Sequence, residues 1–267
     1  MLSRDDRGGL DRGPMVMERI WDFCHQIMRG SATEVVPVTG GFAVLNGEFP
    51  SSYEHNCLVI DQLPDPALLM AEADRVLGEF GLGHRAIEME VEGIEASWLD
   101  RFRTAGYQIH PTVVMALQGP SERHRETAVE RVSYEDLKPA VAASWRREFP
   151  RISEDSLRQL VERRSATGRS CDVSHHVVRV DGGIRARCDL YRLPPIAQVE
   201  NVETEPDWRN HGYATAVVLD AVELAHQSAC DLIFLMAAAD DWPQHLYRRL
   251  GFGRVGGAYT LHRPASE

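Results

Sequence analysis

The stretch Val202-Glu203-Thr204-Glu205-Pro206-Asp207-Trp208-Arg209-Asn210-His211-Gly212-Tyr213-Ala214 combines residue types that hold an anion. It reads as the end of a strand, a short polar turn, and the first turn of an apolar-periodic helix. The first N–H groups of a helix have no intrahelical partner, and the helix dipole favours negative charge there. Gly212 lets a phosphate come close to the backbone, and Arg209 adds a charged donor. The backbone of Arg209, Asn210, His211, Gly212, Tyr213 and Ala214 is therefore a candidate phosphate cradle. His211 could also donate from its ring, though its backbone N–H is the simpler donor. On their own these residues argue only for a ligand that carries phosphate.

Two further groups bring chemistry. Tyr247 follows Asp240 by seven residues, and Gly251-Phe252 begins four residues after the tyrosine. Upstream, Glu200 and Glu203 lie on the strand that runs into the polar turn, where a carboxylate can accept a proton. Their odd separation puts them on opposite faces of that strand unless a bulge intervenes.

The elements that must position these groups read off the second half in order. Thr127–Ser133 alternates as a strand. Tyr134–Phe149 and Glu154–Thr167 have helical spacing and are separated by Pro150. Cys171–Val180 and Ile184–Leu190 are β-rich runs joined by Asp181-Gly182-Gly183, a hairpin signal. Ile196–Thr204 is a further strand. The helix after the polar turn carries Ala214, Val217, Val218, Ala221, Val222 and Ala225 on one stripe. Leu232–Met236 is a short apolar strand of the buried kind. Asp241 reads as the N-cap of a helix with Pro243 just inside it, which stops at Gly251. Phe252–Leu261 closes the chain as strand. This order gives an α/β fold of the α+β kind, a mixed central sheet flanked by helices.

In these motifs the chain resembles the GNAT superfamily of acyl-CoA-dependent N-acetyltransferases, over about residues 126–263. The family's pyrophosphate signature, Gln/Arg-x-x-Gly-x-Gly/Ala, stands here as Arg209-x-x-Gly212-x-Ala214. Its later signature, an Asn followed by Tyr and then Gly-Phe, is matched at Asp240, Tyr247, Gly251 and Phe252. Asp240 replaces the usual Asn, and Asn210 replaces a common Gly. The resemblance implies acetyl-CoA as co-substrate and no metal. It implies a pantetheine arm along Val202, Glu203 and Thr204 and toward Asp240, with a thioester in a gap between two splayed central strands. It also implies Tyr247 as general acid and Glu200, or alternatively Glu203, as the base for a primary amine.

The first half contains an echo. Gly106-Tyr107 stands 145 residues before Gly251-Phe252. The same offset sets Phe102 against Tyr247, Ala86–Glu90 against the strand near Leu232, and the helix near Pro66 against the one after His211. Val35–Val38, Phe42–Asn46 and Cys57–Ile60 supply strands before that helix. The economical reading is a tandem repeat in which the first copy is degenerate. Its turn, Asp61-Gln62-Leu63-Pro64-Asp65-Pro66, has no Gly or Arg, two prolines and two repelling aspartates, and Phe102 lacks a hydroxyl. The expected organisation is a disordered leader over 1–14, a degenerate GNAT-like domain over 15–120 and a catalytic domain over 121–267, with the boundary near Gly119-Pro120.

Composition bounds the alternatives. A net charge of −11 argues against nucleic acid as a partner and agrees with a cationic amine acceptor. No apolar run reaches the length of a membrane span, so no membrane partner is expected. Five scattered cysteines without metal-like spacing fit reduced thiols and a cytoplasmic protein. Monomer and homodimer both stay open. The alternative to the enzyme is a non-catalytic acyl-CoA-binding sensor or interaction module.

Overall fold

The structure, a computed structural model, describes residues 13–265. Residues 1–12 of the expected leader lie outside the described residues. Gly13 and Pro14 already belong to a helix, α1 (Gly13–Ser31), which stands where the sequence reading placed no element. Its Ile20, Phe23 and Ile27 recur at helical spacing and are buried against a sheet.

The first half continues as β1 (Glu34–Val38), β2 (Gly41–Leu45), β3 (Cys57–Ile60), α2 (Pro66–Glu79), β4 (Arg85–Met89), α3 (Ala96–Thr104) and β5 (Gln108–Leu117). The second half adds β6 (Glu130–Val132), α4 (Tyr134–Glu148), α5 (Glu154–Glu162), α6 (Arg164–Thr167), β7 (Asp172–Val180), β8 (Gly183–Leu193) and β9 (Ile196–Thr204). It ends with α7 (Tyr213–Gln227), β10 (Leu232–Ala238), α8 (Pro243–Arg249) and β11 (Phe252–Arg263). The helix expected over Glu154–Thr167 is two, broken at Arg163. The residue capping α8 is Trp242 and not Asp241. Asp241 sits one position earlier, and its carboxylate accepts the Trp242 N–H at 2.7 Å.

The eleven strands of the described residues form one sheet in the order β1-β2-β3-β4-β11-β5-β10-β9-β8-β7-β6. The two halves exchange their last strands. β11, from the end of the chain, inserts between β4 and β5, and β5, from the first half, pairs with β10. The β5–β11 pair is antiparallel and runs from Phe252↔Leu117 to His262↔Gln108, with one bulge between Arg254 and Gly256. Strands 145 residues apart thus lie side by side about a local pseudo-dyad, which is how a tandem repeat closes both copies with one shared ladder.

Helices cover both faces. α2 and α3 pack on Leu58, Ile60, Ile87 and Leu261, and α7 and α8 pack on Val113, Met115, Ile233 and Leu235, all on one face. α1 lies on Val114, Ala116 and Phe234 of the opposite face, and α4 and α5 join that side through Val177. Among the described residues no helix is long and apolar enough to cross a membrane.

Leu261 is fully buried in the apolar core of the first half although it lies near the chain's end. Leu261→Ala is expected to cost about 2–5 kcal/mol, since the cavity it leaves lies between packed layers. Because β11 is common to both halves, denaturant unfolding followed by tryptophan emission and by far-UV circular dichroism should give coincident transitions that shift together in the variant.

Candidate active site

The site begins with the way β9 and β10 part. They pair in parallel only over Leu232↔Ile196, Ile233↔Ala197 and Phe234↔Gln198, after which both strands continue apart. β9 keeps β8 on its other side, and β10 keeps β5. A wedge-shaped gap opens between two backbone edges that face each other without bonding.

The opening has a local cause. Asn201 takes a left-handed φ of 54°, and the β8–β9 register shifts between Asp189↔Glu200 and Arg187↔Glu203. This is the bulge that the odd spacing of Glu200 and Glu203 left open. With it, both carboxylates lie on the same face of β9, because Arg187 and Asp189 share a face of β8.

The polar turn follows at the end of β9. A 3₁₀ turn at Pro206–Trp208 leads to Asn210 with φ 64° and Gly212 with φ 79°, the N-cap of α7. Gly212 offers no side-chain cap, so the first amides of α7 point outward without an acceptor from the chain. Trp208, His211 and Tyr213 stack loosely beside them, and the Arg185 guanidinium lies 4.8 Å from the Trp208 ring centroid. Arg209 is exposed, its Nε 3.5 Å from the Thr204 carbonyl.

These elements wall a cleft of about 670 Å³. Val202, Glu203, Thr204, Arg209, Asn210, His211, Gly212, Tyr213, Ala214 and Tyr247 all line it, so most of the residues singled out by sequence converge there. Asp240 does not. It is exposed, and its neighbour Asp241 lines the cleft instead. Arg249, which follows Tyr247 closely enough in sequence to suggest a phosphate contact, lines it too, whereas sequence reasoning missed Arg123 and His124. The available signal was the charged run Glu122–Glu126, just past the boundary expected near Gly119-Pro120.

Tyr247 is 6% exposed and packs edge-on against Phe252. Its hydroxyl has no hydrogen-bond partner among the described residues. Burial first, and the Glu200 carboxylate second, push the phenol well above its ordinary value, so it stays protonated as a donor. Glu203 does not offer a free carboxylate. It accepts from Ser144 Oγ at 2.6 Å, from Arg147 at 2.6 Å and from Arg187. The alternative of Glu203 as a base therefore meets a group already neutralised by two guanidinium ions, while its backbone still faces the cleft.

Glu200, on the face it shares with the Glu203 side chain and away from the cleft, points into a second cavity of about 340 Å³ beneath α1. Only neutral donors reach it, Gln198 Nε2 and its neighbour's amide, Asn201 N–H. Burial is the main cause that raises its pKa to about 7. The same cavity holds Glu88 of β4 and Glu90, the residue just past its end. Glu88 accepts from Thr260 Oγ1 at 2.8 Å, and burial lifts it too to about 7.

The matching places in the first half are closed. β3 and β4 stay paired through Ile60↔Met89, and the Glu90 N–H goes on to bond the Ile60 carbonyl at 2.8 Å. The Asp61 and Gln62 amides are spent on the Gly40 carbonyl. Asp65 caps α2 with its own carboxylate, accepting from Ala67 N and Leu68 N, and pairs with Arg101. Phe102 is fully buried between Trp98 and Tyr107.

A splayed parallel pair with an uncapped helix end at its mouth, repeated in a closed form in the other half, defines the tandem GNAT fold. Residues 135–252 match the acetyltransferase (GNAT) family, and this segment is a GNAT acetyltransferase domain. Among solved structures the chain is similar to a conserved protein of unknown function from Staphylococcus epidermidis, at 14% identity and TM-score 0.70, covering 88% of this chain and 95% of that one. It is also similar to a GCN5-related N-acetyltransferase from Kribbella flavida, at 16% identity and TM-score 0.63, covering 94% and 96%. A tandem GNAT protein from the clavulanic acid biosynthesis pathway matches at 15% identity and TM-score 0.52, covering 85% and 79%. At these identities the likeness is one of fold. No curated protein matches the sequence.

The two raised carboxyls make stability depend on pH. Between the ordinary carboxylate value and about 7, the folded chain keeps protons on Glu88 and Glu200 that the unfolded chain has released, so stability falls as pH rises through that window. Thermal melts of the ligand-free protein from pH 5 to 8 should show this slope, and the double variant Glu88→Gln/Glu200→Gln should flatten it.

Proposed function

We propose that this protein transfers an acetyl group from acetyl-CoA to a small primary amine by direct attack. The second half, 121–267, carries the chemistry, and the first half, 15–120, is a GNAT-like copy that has lost it. The carrying observation is the gap between β9 and β10, with an uncapped helix end and Tyr247 on one side and Glu200 on the other.

The fit to the carrier rests on groups left without partners. The amides at the start of α7 and the exposed Arg209 would hold a diphosphate, and Arg123 and Arg249 add charge around the same cleft. The free edge of β9 at Val202–Thr204 would pair with the amide-bearing arm as an added strand does. When bound, acetyl-CoA supplies an activated acyl carbon on a thiol leaving group. Glu200 accepts the proton that the acceptor nitrogen sheds as the new C–N bond forms. Its pKa of about 7 suits a base that must be ionised yet able to take a proton near neutrality. Tyr247, protonated and unpartnered, donates to the sulfur as the C–S bond breaks. The acceptor nitrogen thus loses a proton and the sulfur gains one.

A non-catalytic acyl-CoA sensor would need the same cleft but has no use for a buried carboxylate in the gap. Titration calorimetry with acetyl-CoA and a thiol-release assay over an amine panel separate the two readings. The expected outcome is micromolar-range binding with turnover on at least one amine; binding without turnover on any amine favours the sensor. Tyr247→Phe should lower kcat by about 10²-fold or more, within the range for a positioned acid, while acetyl-CoA affinity stays within a few-fold. An unchanged kcat would remove the phenol from the mechanism.

A further inference from the structure

The cavity beneath α1 does not belong to the second half alone. Its walls come from α1, from β4 and β11 at the first half's side of the sheet, and from β9 and β10 at the transfer gap. Among the described residues, two of its carboxylates, Glu88 and Glu200, receive hydrogen bonds only from neutral groups, and no Lys or Arg lines the cavity. Glu54 is different, since Arg163 pairs with it, and Glu90 sits 2.7 Å from His25 Nε2. His55, also in the wall, is lowered by burial to about 4 and brings no charge at neutral pH. The wall also carries the apolar side chains of Trp21, Ile27, Met28 and Met236.

An ionised carboxylate left in such surroundings is costly unless a cation meets it. Two of them at separate ends ask for two cations. β11, β5 and β10 stand between the strands that bear them, so the strands are four steps of about 4.8 Å apart on a flat sheet. Both side chains line this one cavity, so a single extended ligand can reach both.

Resting on the acetyl-transfer reading above, we propose that the acceptor is an extended alkyl diamine or polyamine, seated in this composite cavity with one amino group at Glu200 in the gap and a distal ammonium on Glu88. The first half thereby sets acceptor specificity through β4, although its own gap is closed. Trp21, Ile27, Met28 and Met236 in its wall pack on the alkyl spacer, and Glu90 with His25 lies on the side of Glu88. Glu88 acts on binding only, since it lies remote from the reacting nitrogen.

The test uses the full chain with alkyl monoamines, α,ω-diamines from three to ten carbons, and spermidine, read by thiol release and by calorimetric binding. The expected result is a kcat/KM for the best long diamine about 10- to 100-fold above the monoamine of equal length, the value of one charge-assisted hydrogen bond. Preference should rise with spacer length. Glu88→Gln should collapse that preference to within about threefold, chiefly through KM, with a melting temperature at pH 8 no lower than that of the parent. Monoamines turned over as well as diamines, or a preference that survives Glu88→Gln, would overturn the proposal and leave the acetyl-transfer reading standing. Diamine binding that is lost in Glu88→Gln, with no turnover of any amine, would support the cavity's ligand class while sinking the transferase. Absence of diamine binding together with turnover of other amines would also overturn it.

Discussion

Every functional feature of this chain depends on where backbone hydrogen bonds stop. In a sheet each interior strand spends its N–H and C=O groups on two neighbours, and an unpaired edge is costly unless something else meets it. β9 and β10 share only their first few residues, and then each keeps a single partner. The bulge at Asn201 turns β9 away, while the long ladder with β5 holds β10 in place. The result is a gap with two unsatisfied edges in the middle of an otherwise continuous sheet. Without the strand lent by the first half, β10 would itself be an outer edge there.

The two halves show what the same topology does with and without that opening. In the first half, β3 and β4 pair to their ends and the next amide, Glu90 N–H, prolongs the ladder. The helix that follows β3 is capped by Asp65, so its dipole and amides are already answered by a carboxylate of the chain. In the second half Gly212 stands at the equivalent place, and a glycine has nothing with which to cap. One copy satisfies itself, and the other is left with exposed donors. Retaining the closed copy still has a structural consequence, because its last strand completes the sheet beside the gap and its β4 presents Glu88 to the cavity below.

Much of this was legible in the sequence because it is local. Strand and helix positions in both halves followed from periodicity and from turn residues such as Asp181-Gly182, whose positive φ angles make the tight hairpin. The cleft residues from Val202 to Ala214 and Tyr247 come together as their spacing implied. What the sequence hid is non-local. Nothing in the residues of β5 and β11 announces that the halves trade strands, since each strand would look the same in either order. Helix α1 lies outside the repeat and so fell outside the echo. At the position where the resemblance pointed to Asp240, the cleft is lined by its neighbour Asp241. The ion pairs of Glu203 were not legible either, because its partners Arg147 and Arg187 lie on α4 and β8, where no spacing rule connects them.

The alternation of β9 then explains why two cavities can serve one gap. Gln198 and Glu200 point beneath the sheet toward α1, while Val199 packs among α7 and α8 on the upper face. Past the bulge the strand's edge and Val202 open on the cleft that Tyr247 lines. On the proposed reading the acyl carrier and the acceptor approach from opposite faces and meet only where the sheet is parted. Each can then be held by its own chemistry: amides and arginines above, carboxylates and apolar side chains below. The opposite charges of the two ligand sites are kept apart by a sheet that is continuous on either side of the gap. This arrangement also accounts for the burial of Glu200. A base exposed on the upper face would sit among the arginines that suit a diphosphate, and their field would hold its pKa too low to take a proton. Placed below, among neutral donors and a wall without Lys or Arg, it titrates near 7.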